Sequence, residues 1–399
     1  MKKITCIVLA LLMVVSMFAG CGKTESAAPA DSAAPAAPAE PQKETSASTV
    51  LEEIELDLNT KIEIPEGYEW PELTIVVNDY NPMNSGPATG TQIACDHIEE
   101  ISGGKVKCEV YYGGTLIEST DSFAGTADGL ADITYYVYTL NSGVSTLHNL
   151  FCGMYTCEMP SVVGIFECIN ATLDAVPEFR EEFAKQGLYE LVCGPTNGSV
   201  FEFNNAELGM SVKTPSDLEG HLIMASGYNI PAWAAYGVSG MSMGPADWYS
   251  NLERGVCDAL SMNLPGCSDF GLTDVTNCYL TFGDKYGGLY NSAAGYFANL
   301  DKWNSWDPVV QALVKEGFYL GAQATAEADY VRAMTTLDGE IAAGKQVNTI
   351  APEDMGPWYE MAQIALDAWA ADVAKLGYDP DVLYNGYMDV VAAYMEANG

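Results

Sequence analysis

The stretch LTIVVNDYNPMNSGPATGTQIACDHIEEISGGKVKCEVYYGGTLIESTDSFAGTADGLADITYYV, Leu73 to Val137, alternates strand and helix signals at a spacing that decides the fold. Leu73–Asn78 is a compact apolar run, short for a helix, and turn-forming residues 79–85 follow it. A helix is predicted from about Pro87 to Ile101, closed by Ser102-Gly103-Gly104 as a glycine C-cap. Val106–Tyr112 alternates as a second strand, and Gly113-Gly114 turns the chain. Ser119–Gly129 reads as a second helix and Asp132–Tyr138 as a third strand. Strands separated by helices at this interval make parallel βαβ units, hence an α/β layer.

Working outward, a second set begins near Tyr189. Strands are predicted at 189–194, 199–204 and 221–225, with helices at 231–237 and 246–253. After Asn299 the pattern is mostly helical, and Trp306–Met334 is one long amphipathic run. A body of this length exceeds what one core usually organises. The expected fold class is therefore α/β, a two-lobe, periplasmic-binding-protein-like architecture with a long helix spanning both lobes. Residues 71–194 with about 282–330 form the first lobe, and 195–281 with about 331–399 the second. Such sheets bind ligands at the carboxyl ends of their strands, here between lobes.

Ahead of the body, MKKITCIVLALLMVVSMFAGC places two lysines before an apolar run, then small residues directly before Cys21. Residues 1–20 read as a signal peptide, too short and wrongly flanked for a membrane span. Residues 21–70 read as a lipidated N-terminus and flexible tether. Their Ala/Pro/Ser-rich start cannot bury enough apolar surface to offset its ordering entropy. The small residues before Cys21 resemble the lipobox of bacterial lipoproteins. That implies lipidation of Cys21 and an extracytoplasmic protein anchored to the bacterial cell membrane.

Seventeen Lys and Arg against 54 Asp and Glu give a formal charge of −37, which argues against nucleic acid as a partner. Only Arg180, Arg254 and Arg332 are arginines. Once Cys6 and Cys21 are set aside, nine cysteines remain, an odd number that argues against a complete disulfide framework. Cys95 and Cys168 read as small buried hydrophobes, and a Cys152–Cys157 bridge is one option. No metalloprotease, zinc-pair, nucleophile-elbow or P-loop pattern occurs, so neither catalysis nor a cofactor is expected.

The opening stretch resembles the solute-binding proteins of TRAP (tripartite ATP-independent periplasmic) transporters. Its strand and Asn-x-x-x-Pro start, Ser-Gly-Gly-Lys helix end, Gly-Gly-x-Leu turn and Gly129-x-x-Asp132 carry the likeness. Lys213-Thr-Pro-x-Asp217-Leu-x-Gly220, Gly237, Met243 and Leu252-x-x-Gly255-Val-x-Asp258 continue it, in order, over about residues 72–320. The resemblance implies capture of a small organic molecule and delivery to separate membrane subunits. A ligand-sensing or partner-binding surface lipoprotein of the same fold is the alternative.

The departures from that family bear on the ligand. Where the family places carboxylate-gripping arginines, the matching positions here are Met224 and Val200, and a ligand-contacting Asn matches Met262 or Asn263. A dicarboxylate facing Met and Val would lose its charge-assisted bonds. Aromatic and neutral polar groups instead crowd the expected cleft mouth. The candidate ligand residues are Asn78, Tyr80, Asn81, Tyr135, Tyr136, Asn197, Val200, Met224, Ser226, Tyr228, Trp233, Met262 and Asn263. Because strand residues alternate, at most one of Tyr135 and Tyr136 can face the cleft. Such a wall suits a neutral, apolar-bodied or cationic ligand rather than a simple dicarboxylate.

Overall fold

The structure is a computed structural model and describes residues 60–153, 162–195, 198–283 and 285–398. Its first sheet contains β1 (Leu73–Asp79), β2 (Val106–Tyr112), β3 (Ile133–Val137) and β4 (Leu188–Pro195). Its second contains β5 (Ser199–Phe203), β6 (Leu222–Met224), β7 (Ser239–Met241), β8 (Ala259–Asn263) and β9 (Cys278–Phe282). Then β10 (Ala293–Asn299) returns to the first sheet and β11 (Gln346–Ile350) to the second. The strand orders are β2-β1-β3-β10-β4 and β11-β9-β5-β8-β6-β7.

The expected βαβ units form as predicted. β1 pairs in parallel with both β2 and β3, and β6 with β7 and β8. The sheets are nevertheless mixed, because β10 runs antiparallel between β3 and β4, and β5 antiparallel between β8 and β9. Both are the strands that enter their sheet directly from the other lobe, with no helix in between. β11 interrupts the region expected to be mostly helical. Its QVNTI sequence is polar and only its last residue is buried, so it carries little strand signal until β9 offers an edge.

Local chemistry sets the ends of the helix Gly86–Ile101. Ser85 caps it by accepting from the Ala88 N–H at 3.2 Å. Gly103 and Gly104 stop it at φ of 62° and 75°, a region costly for residues with a Cβ. The long helix Pro308–Ala342 starts at Asp307, whose carboxylate accepts from Val309 and Val310. It crosses the first helix where Gly90 meets Gly321. A Cβ on Gly321 would stand 2.1 Å from the Gly90 carbonyl oxygen, so only glycine permits this approach.

Each sheet is covered on both faces. In the first lobe, one face packs Ile75, Val77 and Ile98 with Val310, Val314 and Phe318 of the long helix. The other packs Tyr138, Phe183 and Phe297 with Trp369, Leu383 and Tyr387. In the second lobe, Phe201, Trp233 and Trp358 lie on one face, and Leu252, Leu260 and Leu337 on the other. The long helix therefore serves both lobes. The helix Pro380–Asn398 departs from the sequence division, which groups 331–399 with the second lobe: Leu383, Tyr387 and Val391 pack in the first-lobe core.

The chain passes between lobes after β4, after β9 and along the long helix, and the helix Gly356–Lys375 returns it to the first lobe. The first two crossings lie side by side, with Ser199 N–H donating to Tyr290 O at 2.7 Å and Leu289 N–H to Ser199 O at 2.8 Å. Gly198 and Gly288 face each other there with no room for a Cβ on either.

Candidate functional site

A cleft of about 100 Å³ lies where the carboxyl ends of strands from both lobes converge. From the first lobe come Tyr80 and Asn81 after β1, and Tyr135 and Val137 on β3. From the second come Ser199, Met224, Ser226, Ser261, Met262, Asn263 and Trp248. Seven of the residues expected from sequence thus line one cleft: Tyr80, Asn81, Tyr135, Met224, Ser226, Met262 and Asn263.

The floor of the cleft is held by buried polar contacts. Asp79 accepts from the Asn81 backbone at 3.0 Å, the Asn81 amide at 2.7 Å and the Thr91 hydroxyl at 2.6 Å. Asn81 is thereby fixed at the end of β1. Burial still raises the Asp79 carboxyl above its ordinary range, against those three donors. Tyr135 packs its ring 5.8 Å from that of Tyr80 and 5.3 Å from that of Tyr296. Burial raises the phenols of Tyr80 and Tyr135, which stay neutral donors. Trp248 donates to the Met243 carbonyl at 3.0 Å and meets Phe270 edge-on at 4.9 Å. The Asn263 side-chain Oδ1 accepts from Gly266 N–H at 2.8 Å, capping the short helix Leu264–Asp269.

Five expected residues lie elsewhere. Asn78 is buried, donating to Thr134 at 3.1 Å and accepting from Ile117 N–H at 3.1 Å, so it braces β1. Tyr136 alternates to the opposite face and packs 4.8 Å from Phe123. Val200 turns into the second-lobe core, because its neighbour Ser199 takes the cleft side of β5. Tyr228 donates to Asp372 at 3.2 Å. Trp233 is fully buried, edge-on to Phe201 and Trp358. Asn197 and Cys157 lie outside the described residues. The eight described cysteines carry free thiols, with Cys95 and Cys168 buried.

The sequence reading misses two acidic residues on the cleft wall, Asp269 and Asp329. Arg332, one turn along the long helix, lies between them. Its Nη1 donates to Asp329 at 2.8 Å and to Asp269 at 3.4 Å, and its Nη2 donates to Asp269. Asp269 also accepts from Gly86 N–H at 3.3 Å, so this second-lobe carboxylate touches the first helix of the other lobe. Burial and the Asp269 charge together outweigh Arg332 and raise Asp329 to about 6. Burial raises Asp269 as well, with Arg332 opposing it. A readable signal existed: Asp329 and Arg332 stand at i, i+3 on a helix face otherwise rich in alanine. Among the described lining residues there is no Lys, Arg or His.

Two lobes with a cleft between them define a binding-protein architecture. A sequence profile of the bacterial extracellular solute-binding protein, family 7 (DctP) matches residues 78–372, and the chain belongs to that family. A TRAP solute-binding protein from Rhodoferax ferrireducens, crystallised with copurified benzoate, superposes with a TM-score of 0.72 at 15% identity. The match covers 82% of this chain and 99% of that one. A marine metagenome TRAP solute-binding protein described as specific for aromatic acid ligands, with 3-hydroxybenzoate, gives 0.71 at 16%, over 81% and 99%. A Desulfovibrio salexigens protein with bound orotic acid gives 0.69 at 16%, over 80% and 99%. These likenesses establish the fold. As a family member this is a TRAP-type solute-binding protein, which takes up a small ligand outside the cytoplasm for its membrane partners. Among the described residues no helix is long and apolar enough to cross a membrane.

Proposed function

We propose that this chain is a lipid-anchored TRAP receptor whose ligand is a small organic molecule not gripped through a carboxylate. The observation that carries the reading is the make-up of the cleft wall: among the described lining residues there is no Lys, Arg or His, and the two carboxylates there, Asp269 and Asp329, hold Arg332 between them. The similar solved proteins hold benzoate, 3-hydroxybenzoate or orotic acid, all organic acids. An acid placed here would face two carboxylates and the Met224 thioether, and its buried charge would go without a partner. Aromatic rings and neutral hydroxyl and amide groups supply the remaining contacts, suited to stacking and neutral hydrogen bonds. The two glycine-flanked crossings and the long helix support closure of the lobes around that ligand.

Calorimetry with succinate and malate tests the carboxylate reading. The expected result is no measurable binding to the natural protein and a gain of binding in Met224→Arg, which restores a guanidinium on the wall. Sub-micromolar binding of either acid by the natural protein overturns it. Anchoring is tested separately. Cys21→Ser should release the protein from the membrane fraction, and unchanged membrane association would remove the lipid-anchor claim.

A further inference from the structure

We infer that Cys95 and Cys108 form a modification site: the pair closes into a disulfide when the chain meets a disulfide oxidant outside the cytoplasm. Both thiols are free in the structure. Three contacts fix how the helix Gly86–Ile101 lies along β2. The Tyr112 hydroxyl donates to Gln92 at 3.1 Å, the Cys108 N–H to the Glu99 carboxylate at 3.2 Å, and the Val106 N–H to the Ser102 hydroxyl at 3.0 Å. Helix and strand therefore run in opposite directions. Cys95 lies one turn before Glu99 on the same helix face, which brings it over the strand near Cys108. Strand alternation aims Cys108 at that face. It pairs in register with Ile75 of β1, which is fully buried in the same core as Cys95 and Ile98. Val106, Cys108 and Val110 all pack toward this core, whereas Lys107 and Glu109 are exposed. The two thiols meet there in a hydrogen bond.

Access sets the order of the chemistry. β2 is the edge strand of its sheet and Cys108 is only half-buried, whereas Cys95 is buried. An external disulfide, RSSR, therefore meets Cys108 first. The Cys108 sulfur attacks it, one RSH leaves, and a mixed disulfide remains on Cys108. The Cys95 sulfur then attacks Cys108 and expels the second RSH. Two protein thiols give up two protons and two electrons, and RSSR takes both to become two RSH. The Cys108 thiol, burial, Asp96 and Glu99 all raise the Cys95 thiol above its ordinary range, so the closing attack is the slow step. The family works outside the cytoplasm, where such bonds persist. The bond fastens the edge strand to its helix across a short loop and stabilises by restricting the unfolded chain. Neither cysteine is among the described residues lining the cleft, so ligand affinity should not change.

Peptide mapping of the full chain tests this, after incubation of the folded protein with oxidised glutathione and alkylation of the remaining thiols. A linked peptide joining Cys95 to Cys108 is expected. The thermal unfolding midpoint should rise by about 3–6 °C, and dithiothreitol should reverse the rise. Cys108→Ala should lose both the linked peptide and the dithiothreitol-sensitive shift while still unfolding cooperatively in its reduced form. The map of the natural protein decides the matter even where a variant folds poorly. Cys95 and Cys108 both recovered as alkylated thiols, or a glutathione adduct that stays open on Cys108, overturns the inference. A linked peptide with no change in the midpoint overturns the stabilising role.

Discussion

Two buried clusters in this protein have the same composition, one cation between two carboxylates, and opposite settings. In the first-lobe core, His148 contacts Glu182 through Nδ1 at 2.8 Å and Glu190 through Nε2 at 3.0 Å. Both carboxylates have further donors: Leu147 N–H at 2.8 Å to Glu182 and the Tyr138 hydroxyl at 2.6 Å to Glu190. Phe151, Phe179 and Phe183 seal the ring on several sides. Between the lobes, Arg332 joins Asp269 to Asp329, and both acids reach the cleft wall. The first cluster lies within one lobe and away from the cleft, with His148 and Glu190 fully buried. The second spans two bodies and faces the ligand. Position relative to the cleft, rather than composition, separates a structural ionic cluster from a candidate recognition group.

The largest expected effect tests the sealed cluster. His148→Leu leaves two carboxylates facing each other without their cation, and should destabilise the protein by about 3–5 kcal/mol in chemical denaturation. Ligand affinity of the folded fraction should not change. A loss of affinity at constant stability would reverse the assignment of the two clusters.

The same cluster carries a pH signature. Burial pulls the His148 imidazolium down, but Glu190 and Glu182 outweigh it and raise the group from 6.5 to about 9. A raised histidine stabilises the folded state fully below its unfolded value and loses that contribution as pH climbs through the folded one. The unfolding free energy should therefore fall between pH 6.5 and about 9, by up to about 3 kcal/mol, and His148→Leu should flatten that slope. An unchanged slope in the variant would place the titration elsewhere.

The smallest effect concerns the interlobe cluster. Asp269→Asn keeps the shape but removes the charge that meets Arg332 and weakens acceptance from Gly86 N–H. A loss of about 1–2 kcal/mol is expected. It should come with a larger radius of gyration in small-angle scattering of the unliganded protein. A radius unchanged by both the variant and a bound ligand would argue against closure across this contact.

The two halves of the cleft wall were legible to different degrees. Tyr80, Asn81 and Tyr135 were readable because they follow directly from β1 and β3, where strand alternation and turn residues fix which side chains point out of the carboxyl end. Met224, Met262 and Asn263 were readable through family spacing. Val200, Tyr228 and Trp233 were not, since a one-residue change of face on β5, or a local tertiary partner such as Asp372 or Trp358, moves a side chain out of the cleft. Asp269 stayed hidden in so acidic a chain, where a single carboxylate carries no signal by itself, whereas Asp329 had its i, i+3 spacing to Arg332.

The sequence alone determined the alternation of strands and helices from Leu73 to Val137, the glycine stops, the long amphipathic run and the scarcity of cations. These are local properties, set by periodicity, capping and composition. Only the tertiary structure decided that β10 enters the first sheet antiparallel and that the last helix packs back on the first lobe. It also decided that an arginine from the long helix draws two distant carboxylates together at the cleft. Those outcomes depend on which surfaces remain to be buried once the lobes have formed. Contacts across 63 residues, as between Asp269 and Arg332, leave no trace in local pattern.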